Sequence, residues 1–496
     1  MRTRTPATHL ALAVMLLLLM AAVRLHNLTL QEPFIDEGAH VQRARAVWSF
    51  DENPGRFANG KLLLYYWLGV FELPPVDALW IARATIALTS LLTGATVYAL
   101  ARMTGGPGAG RLALAVYAAL PLAFFHERMA LADPLAALFM ALTAWRSVAL
   151  ARRPTALRAL AAGLLAAATT LAKLTTGYIP LLPVFATLLY GGARDLRAWK
   201  RRYGRALALV VGTILAAWIP LLIPAAIAHA RGEPFTLVNG ANIADLDAPS
   251  PLAELDATLR ALASYTSAPL LLALVAGLGW LAWRGRRNRA IRPHALYFMA
   301  WVALLLIFPA IASRDPRTRY FMPLAVPLSV VIGWAAGELW RTRHRAARVA
   351  LAGAAAAWLG GFAIPFGVTA VTSPADLSLP RRDAAVFLGG NFAGDAFRRV
   401  VALLDTMEPP GQIVADRAAC DMLYFFTAEP IVCAADIARP VELLAAQLSY
   451  VVLNGHEPQP DRMRLAWELV AEFERPKLRE LAGVTRTAQV WRVRAP

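Results

Sequence analysis

Two adjacent carboxylates, Asp36 and Glu37, follow the first long apolar stretch of the chain, residues 10–23. Charged side chains are costly near lipid hydrocarbon, and ionisable residues in such places often have a functional role. A carboxylate at a membrane edge can take a proton from a hydroxyl group and so act as a general base. The pair therefore predicts chemistry at the membrane surface.

The segment around these acids, FIDEGAHVQRARAVWSF, predicts a short amphipathic helix on the membrane surface, because apolar residues and arginines alternate along it. Asp36 and His40 would share the first turn of this helix. A second interpretation makes the acids structural, since Asp36 could cap the helix and both acids would complement its dipole. The two roles are compatible.

A second polar group lies between two later apolar stretches. The sequence PLAFFHERMALADPLAALF places His126, Glu127, Arg128 and Asp133 at a predicted membrane edge. Asp133 before Pro134 is also typical of the start of the next helix. That interpretation leaves Arg128 unexplained, whereas an anionic ligand would explain it.

Further cationic residues occur at two predicted outer loops. Lys173 lies between two short apolar stretches, where it would either extend to the interface or contact a phosphate. The loop SRDPRTRYFMPLAVP carries Arg314, Arg317 and Arg319 against one acid, Asp315. Guanidinium groups bind phosphate through paired hydrogen bonds. Ordinary solvated loop charge is the alternative.

Together these residues predict one site on the outer face of a membrane, with a carboxylate base and cations for a phosphate. A sugar linked to polyprenyl phosphate would use both, since its tail lies in the bilayer and its phosphate at the interface. The chain has neither a Walker A loop nor a glycine-rich dinucleotide motif. Nothing therefore indicates direct use of ATP or a nucleotide sugar.

The elements that must position these residues are membrane helices. The chain has 496 residues, 58% of them hydrophobic, with a mean hydropathy of +0.48. Apolar stretches long enough to span a bilayer recur along it. They predict an all-α polytopic protein with about eleven spans, near 9–25, 79–101, 111–126, 132–150, 157–172, 178–190, 205–229, 267–284, 294–312, 320–340 and 347–372.

The net charge of +17 lies mainly in short loops between apolar stretches, a pattern that favours the positive-inside rule over nucleic-acid binding. With these loops in the cytoplasm, the polar loops described above and the chain beyond residue 372 are extracytoplasmic. The N-terminus resembles a signal peptide but is predicted to remain as the first span. We expect a multi-pass protein of a bacterial inner membrane.

The C-terminal part predicts a small extracytoplasmic α/β domain, 373–496, after a transmembrane domain, 1–372. Strands are expected at QIVAD, PIVCA, SYVVLNG and AQVWRVR, and helices at PVELLAAQL and DRMRLAWELVAEFE. The two cysteines, Cys420 and Cys433, would form a disulfide in an oxidising compartment or stay as buried thiols.

Three motifs, IDEGAH, HERMALADPLAALF and RTRYFMPLAVPLSVVIGW, resemble those of integral-membrane glycosyltransferases with the C-type fold. The groups most similar are protein O-mannosyltransferases and the bacterial lipid A aminoarabinose transferase. The resemblance covers roughly residues 9–340. It implies inverting transfer of a sugar from polyprenyl phosphate to an extracytoplasmic acceptor: lipid A, lipopolysaccharide core, another envelope glycan or a protein.

The resemblance also implies roles for single residues. Asp36 would be the general base, with Glu37 beside it. Donor phosphate would be held by a set of cations and one aromatic ring: Arg128, Lys173, Arg317, Arg319 and Tyr320. Four further residues would shape the site: His40, His126, Glu127 and Asp133. The two histidines lie near acids and could hold a divalent metal, although many C-type members work without one.

Two other functions compete with transfer. A transporter or flippase of a lipid-linked glycan would have ionisable residues in mid-span and related halves, whereas the charges here gather at span ends. An inactive relative would use its outer domain as a scaffold for partners. The expected partners of the transferase are the lipid-linked donor, the acceptor and membrane lipids.

Overall fold

In the computed structural model, the described residues are 6–51, 53–71, 77–192, 195–233, 235, 251–312, 317–341, 344–390, 393–394, 396–407, 411–427, 429–434, 449–454, 466–475 and 487–494. The chain divides into two compact units. The first comprises Met1–His26, Ala46–Trp67 and Ala84–Gly367, and the second comprises Asn27–Arg45, Leu68–Arg83 and Val368–Pro496. The last segment of the second unit begins at Val368, close to the predicted domain boundary at residue 373. The second unit also includes two earlier segments of the chain.

Helices dominate the described chain. The α-helices are α1 (Pro6–Leu25), α2 (Ile35–Ser49), α3 (Leu62–Gly69), α4 (Ala78–Ala119), α5 (Pro121–His126), α6 (Ala132–Arg152), α7 (Ala156–Ala172), α8 (Leu181–Tyr190), α9 (Leu196–Ala230), α10 (Pro251–Thr266), α11 (Ala268–Arg287), α12 (Arg292–Ala312), α13 (Ala325–Trp340), α14 (Arg345–Trp358), α15 (Ile364–Thr372), α16 (Arg381–Phe387), α17 (Phe397–Leu404) and α18 (Arg417–Leu423). Short 3-10 helices cover Pro54–Arg56, Leu174–Thr176, Thr318–Leu324 and Pro374–Asp376, and a π-helical turn covers Leu359–Ala363.

The prediction of a polytopic membrane protein is confirmed. Among the described residues, eight helical segments are long and apolar enough to cross a bilayer, and the stretches 156–172 and 174–190 are shorter apolar helices. The helix α4 contains the predicted span 79–101 and the first part of the next, 111–126, whose end forms α5. Between the two spans, the helical geometry of α4 breaks at Gly106 (φ 80°, ψ −177°), next to Pro107. Together with α5, these segments correspond to the predicted spans.

Small side chains let the helices of the first unit approach closely. The helix α6 packs on α7 and α8, and α7 also packs on α9. Where α7 meets α9, the buried contact consists of Ala159 and Ala162 against Ala206 and Val210. Dispersion between closely spaced backbones is the main attraction available to helices in lipid. The alanine-rich composition therefore allows these helices to pack closely.

The second unit contains a five-stranded sheet. Its strands are β1 (Gln412–Asp416), β2 (Ile431–Ala434), β3 (Ser449–Asn454), β4 (Ala466–Glu474) and β5 (Thr487–Arg494), in the order β2-β1-β3-β5-β4. The strand β1 is parallel to both neighbours, whereas β5 is antiparallel to β3 and β4. The helices α17 and α18 contribute to the apolar core on the sheet. All four predicted strands are confirmed, and so is the α/β class.

The predicted helix DRMRLAWELVAEFE is wrong over residues 466–474, which form strand β4. Leu, Ala and Glu favour helix, but the acids at 468, 472 and 474 alternate with apolar residues. That alternation is interrupted at Val470, where the pairing with β5 shifts register. Pairing with β5 thus outweighs local propensity. The other predicted helix, PVELLAAQL at 440–448, lies outside the described residues.

The two cysteines form a disulfide that joins α18 to β2. The Cα atoms of Cys420 and Cys433 are 5.6 Å apart, a normal separation for a disulfide. Of the two alternatives that the sequence left open, the structure has the bonded one.

Candidate active site

The helix α2 carries the two adjacent acids in its first turn. The backbone N–H of Phe34 donates to Oε2 of Glu37 (2.8 Å), which is half of a capping box. Asp36 lies at the second helical position rather than at the cap, and its side chain is partly exposed. His40 on the next turn is buried. A helix forms over the predicted segment, and Asp36 is positioned to meet solvent; the position of this helix on a membrane surface stays a prediction.

Glu37 is held in a buried ion pair within the second unit. Nε and Nη2 of Arg83 donate to its two carboxylate oxygens, at 2.8 Å and 2.6 Å. Arg83 also donates to the backbone carbonyls of Leu28, Gln31 and Glu32. A single guanidinium thus fixes the loop before α2 to the first turn of α2. These contacts give Glu37 a structural role beside Asp36, and its catalytic role stays a prediction.

A second carboxyl group, Asp421 on α18, lies within electrostatic range of Asp36. Burial raises the pKa of Asp421 to about 6; Arg43 and Arg417 oppose this rise, and the negative charge of Asp36 adds to it. Raised carboxyl pKa values are common at functional sites. The sequence interpretation missed Asp421, because no local signal connects position 421 with position 36.

The first unit contains a buried ion pair between Lys173 and Asp133. Nζ of Lys173 donates to Oδ1 of Asp133, and both side chains are buried. Lys173 follows the last residue of α7, and Asp133 lies in the first turn of α6. Nζ also lies 3.9 Å from the ring centroid of Tyr320, within the range of a cation–π contact. Three residues predicted from separate loops therefore meet.

Positive charge accumulates around this pair. Burial lowers the pKa of Lys173 to about 8; Asp133 counteracts this change, while Arg319 and Lys61 add to it. The backbone N–H of Leu174 donates to the Gly60 carbonyl (2.8 Å), which fixes the loop that carries Lys61. We refer to Lys61, Lys173 and Arg319 as the cationic cluster. Sequence analysis missed Lys61, a single lysine before the apolar stretch LLLYYW.

The two described arginines of the predicted phosphate loop are partly exposed. Arg317 immediately precedes the 3-10 helix Thr318–Leu324, and Arg319 lies inside it. The guanidinium carbon of Arg319 is 5.7 Å from the ring centroid of Tyr320. Arg319 and Lys173 thus lie near the same aromatic ring. Arg314 and Asp315 of the same loop lie outside the described residues.

Arg128 has a structural explanation that the sequence did not show. Its Nη1 donates to the backbone carbonyls of Val23, Arg24 and His26, at 3.1, 2.9 and 2.7 Å. A cation at this position satisfies the last carbonyl groups of α1 and complements the helix dipole. The phosphate contact predicted for Arg128 stays a prediction.

The neighbours of Arg128 are also buried. Glu127 accepts a hydrogen bond from Nε of Arg24 (2.5 Å) and another from the hydroxyl of Tyr117. Nδ1 of His126 lies 2.9 Å from the carbonyl oxygen of Leu122. The site-shaping roles of Glu127 and His126 stay predictions. Within the described residues, no group of three or more His, Cys, Asp or Glu side chains is arranged to hold a metal.

The predicted site residues thus fall into two sets, one in each unit. The second unit contains Asp36, Glu37 and His40, and the first unit contains all the other predicted site residues together with Lys61. The single shared site remains a prediction of the sequence.

No family model and no curated protein matches the sequence. Among solved structures, the chain is similar to ArnT from Cupriavidus metallidurans bound to undecaprenyl phosphate, with a TM-score of 0.63, 16% identity and 98% of each chain covered. It is also similar to the arabinofuranosyltransferase AftD from Mycobacteria, with a TM-score of 0.51, 15% identity, and 100% of this chain and 40% of that chain covered. The chain has the C-type glycosyltransferase fold.

A third similarity agrees with this fold. The oligosaccharyltransferase of Archaeoglobus fulgidus in complex with Zn and sulfate gives a TM-score of 0.50 at 12% identity, covering 88% of this chain and 68% of that chain. The fold class that the three sequence motifs implied is therefore confirmed.

Proposed function

We propose that this chain transfers a sugar from a polyprenyl-phosphate carrier to an acceptor outside the cytoplasm, with inversion at the anomeric carbon. The observation that carries the proposal is the buried Lys173–Asp133 pair with Tyr320, Arg319 and Lys61 around it. The fold supports it, and one solved structure with the same fold contains undecaprenyl phosphate.

The cationic cluster suits a lipid phosphate. Lys173 is buried and has lost much of its hydration, so a phosphate anion would stabilise its ammonium form. When the sugar leaves, the phosphate gains a second negative charge, and preorganised cations stabilise that charge strongly in a partly dry site. Asp133 holds Lys173 in position, and the ring of Tyr320 covers the ammonium group.

Asp36 would act on the acceptor. The carboxylate takes the proton of an acceptor hydroxyl while the acceptor oxygen bonds to the anomeric carbon. The bond from that carbon to the phosphate oxygen breaks, and polyprenyl phosphate leaves with the electron pair. A phosphate leaves without help from an acid, so one base is enough. Glu37 is fully buried in its pair with Arg83, whereas Asp36 is partly exposed, which favours Asp36 as the base.

The disulfide supports an extracytoplasmic position for the second unit. Structural disulfides persist in oxidising compartments and are rare in the cytosol, and the Cys420–Cys433 bond lies in this unit. This agrees with the orientation that the basic loops predict. We assign the protein to a bacterial inner membrane, with lipid A, lipopolysaccharide core, another envelope glycan or a protein as the acceptor.

Donor-site binding tests the role of the cluster. We would measure the affinity of polyprenyl phosphate for the protein in nanodiscs, comparing wild type with Lys173→Met. We expect at least tenfold weaker binding, since the variant loses a charge-assisted contact of about 1.5–3 kcal/mol. Lys200→Met, at an exposed position on α9, is the matched control. Equal affinity of Lys173→Met and wild type would remove the cluster from the donor site.

A further inference from the structure

The segment that carries the proposed base folds as part of the second unit, which we refer to as the C-terminal unit. Asn27–Arg45 belongs to the same compact unit as Val368–Pro496. At its start, Nδ2 of Asn27 donates to the carbonyl of Val371 (3.0 Å). Both residues belong to this unit, so the contact joins the start of Asn27–Arg45 to the start of Val368–Pro496.

The backbone just before α2 is fixed by the same unit. The N–H of Gly394 donates to the carbonyl of Pro33 (2.8 Å), and Phe34 forms an antiparallel bridge with Ala393. The ring of Phe34 packs against Phe387, with 5.1 Å between ring centroids. The start of α2 therefore has its direction set by residues more than 300 positions later in the sequence.

The first turns of α2 contact α18 directly. A Cβ added at Gly38 would overlap the backbone carbonyl of Asp421, so the two helices touch where glycine has no side chain. Ile35 packs on the apolar core that includes Ala419, Cys420 and Leu423. Further along α2, the guanidinium of Arg45 lies 4.6 Å from the ring centroid of Tyr424.

We propose that the C-terminal α/β unit is a working part of the transferase, because its helix α18, in contact with Gly38, holds the turn that carries Asp36 in its reactive position. This inference rests on the proposed function and gives the C-terminal unit a role in the reaction itself. Gly38 and Asp421 are positioning residues, since they act through Asp36. A general base misplaced by about 1 Å loses on the order of 100-fold in rate.

The Gly38→Ala variant tests the helix contact. Its methyl group must push α2 away from the Asp421 carbonyl, so kcat should fall on the order of 100-fold. Polyprenyl phosphate affinity should not change, since the cationic cluster belongs to the other unit. Gly353→Ala is the matched control, because a Cβ at Gly353 meets nothing within 4 Å. A folded Gly38→Ala protein with wild-type kcat would overturn the proposal.

Asp421→Asn tests the electrostatic coupling between the Asp421 side chain and α2 without steric change, and it serves if Gly38→Ala does not fold. The groups that act on Asp421 are Asp36 and Arg43 from α2 and Arg417 from α18. Above pH 6 the ionised Asp421 makes Asp36 a stronger base, so wild-type kcat should rise about two- to fivefold through that pH. The Asn variant should lack this step, and an unchanged profile would contradict the proposal.

These outcomes separate the two proposals. Without sugar transfer by the wild-type protein, the proposed function fails. If the wild type transfers sugar and Gly38→Ala and Asp421→Asn match it in kcat and pH profile, only the role of the C-terminal unit fails.

Discussion

At the residue scale, the proposed donor site depends on the buried ammonium group of Lys173. The ammonium group has one carboxylate, one aromatic face and two further cations around it. The neighbouring cations disfavour its charged form, and an anionic ligand would reverse that effect. This arrangement of side chains therefore supports the proposed phosphate-binding role.

This environment predicts a pH dependence of donor-site binding. The pKa of Lys173 is lowered to about 8, and the protonated form is the one that pairs with phosphate. Polyprenyl phosphate is already a dianion above pH 7. Its affinity should therefore be constant near pH 7 and fall up to tenfold per pH unit above pH 8. Binding titrations between pH 7 and pH 10 would check this.

The Lys173→Arg variant provides the contrast. Arginine stays charged throughout this range, so its titration should lack the decline above pH 8. A wild-type affinity that does not change between pH 7 and pH 10 would show that Lys173 does not pair with the phosphate.

At the scale of elements, the buried Arg83–Glu37 pair stabilises the start of α2. Arg83→Met should lower the free energy of unfolding by about 3–5 kcal/mol, because it removes the guanidinium from a fully buried carboxylate. The double variant Arg83→Met with Glu37→Gln should recover part of that loss, since the buried charge is gone. Thermal unfolding of wild type, both single variants and the double variant would measure the coupling.

If the double variant is destabilised by the sum of the two single changes, Arg83 and Glu37 do not act as a pair. A stability of Arg83→Met close to that of wild type would contradict the structural role of the contact.

Some secondary-structure elements were predictable from sequence patterns and others were not. Membrane spans and buried strands carry strong local signals, so α4, β1 and β3 were predictable. The strand β4 was not, since Leu, Ala and Glu favour helix and only pairing with β5 overrides them. The roles of Lys61 and Arg83 were not predicted for a related reason. Each is a single cation in an apolar context, and only tertiary contacts reveal its partners.

At the scale of the whole molecule, the chain combines an alanine-rich helical unit with an α/β unit. Sequence motifs were sufficient for the fold class, since IDEGAH and its companion motifs lie at span ends in a characteristic order. The contribution of Asn27–Arg45 to the C-terminal unit could not be predicted, because it depends on contacts across more than 300 residues.

The most direct measurement follows release of free polyprenyl phosphate from extracted polyprenyl-phosphate sugars by the protein in nanodiscs. Wild type and Asp36→Asn would be compared with and without an extract of envelope acceptors. We expect release by wild type that requires the extract, and a loss of about 10²–10⁴-fold in Asp36→Asn, the usual contribution of a general base. Acceptor-dependent release that is equal in the two proteins would contradict the role of Asp36, and no release by folded wild type with any donor would contradict lipid-linked sugar transfer.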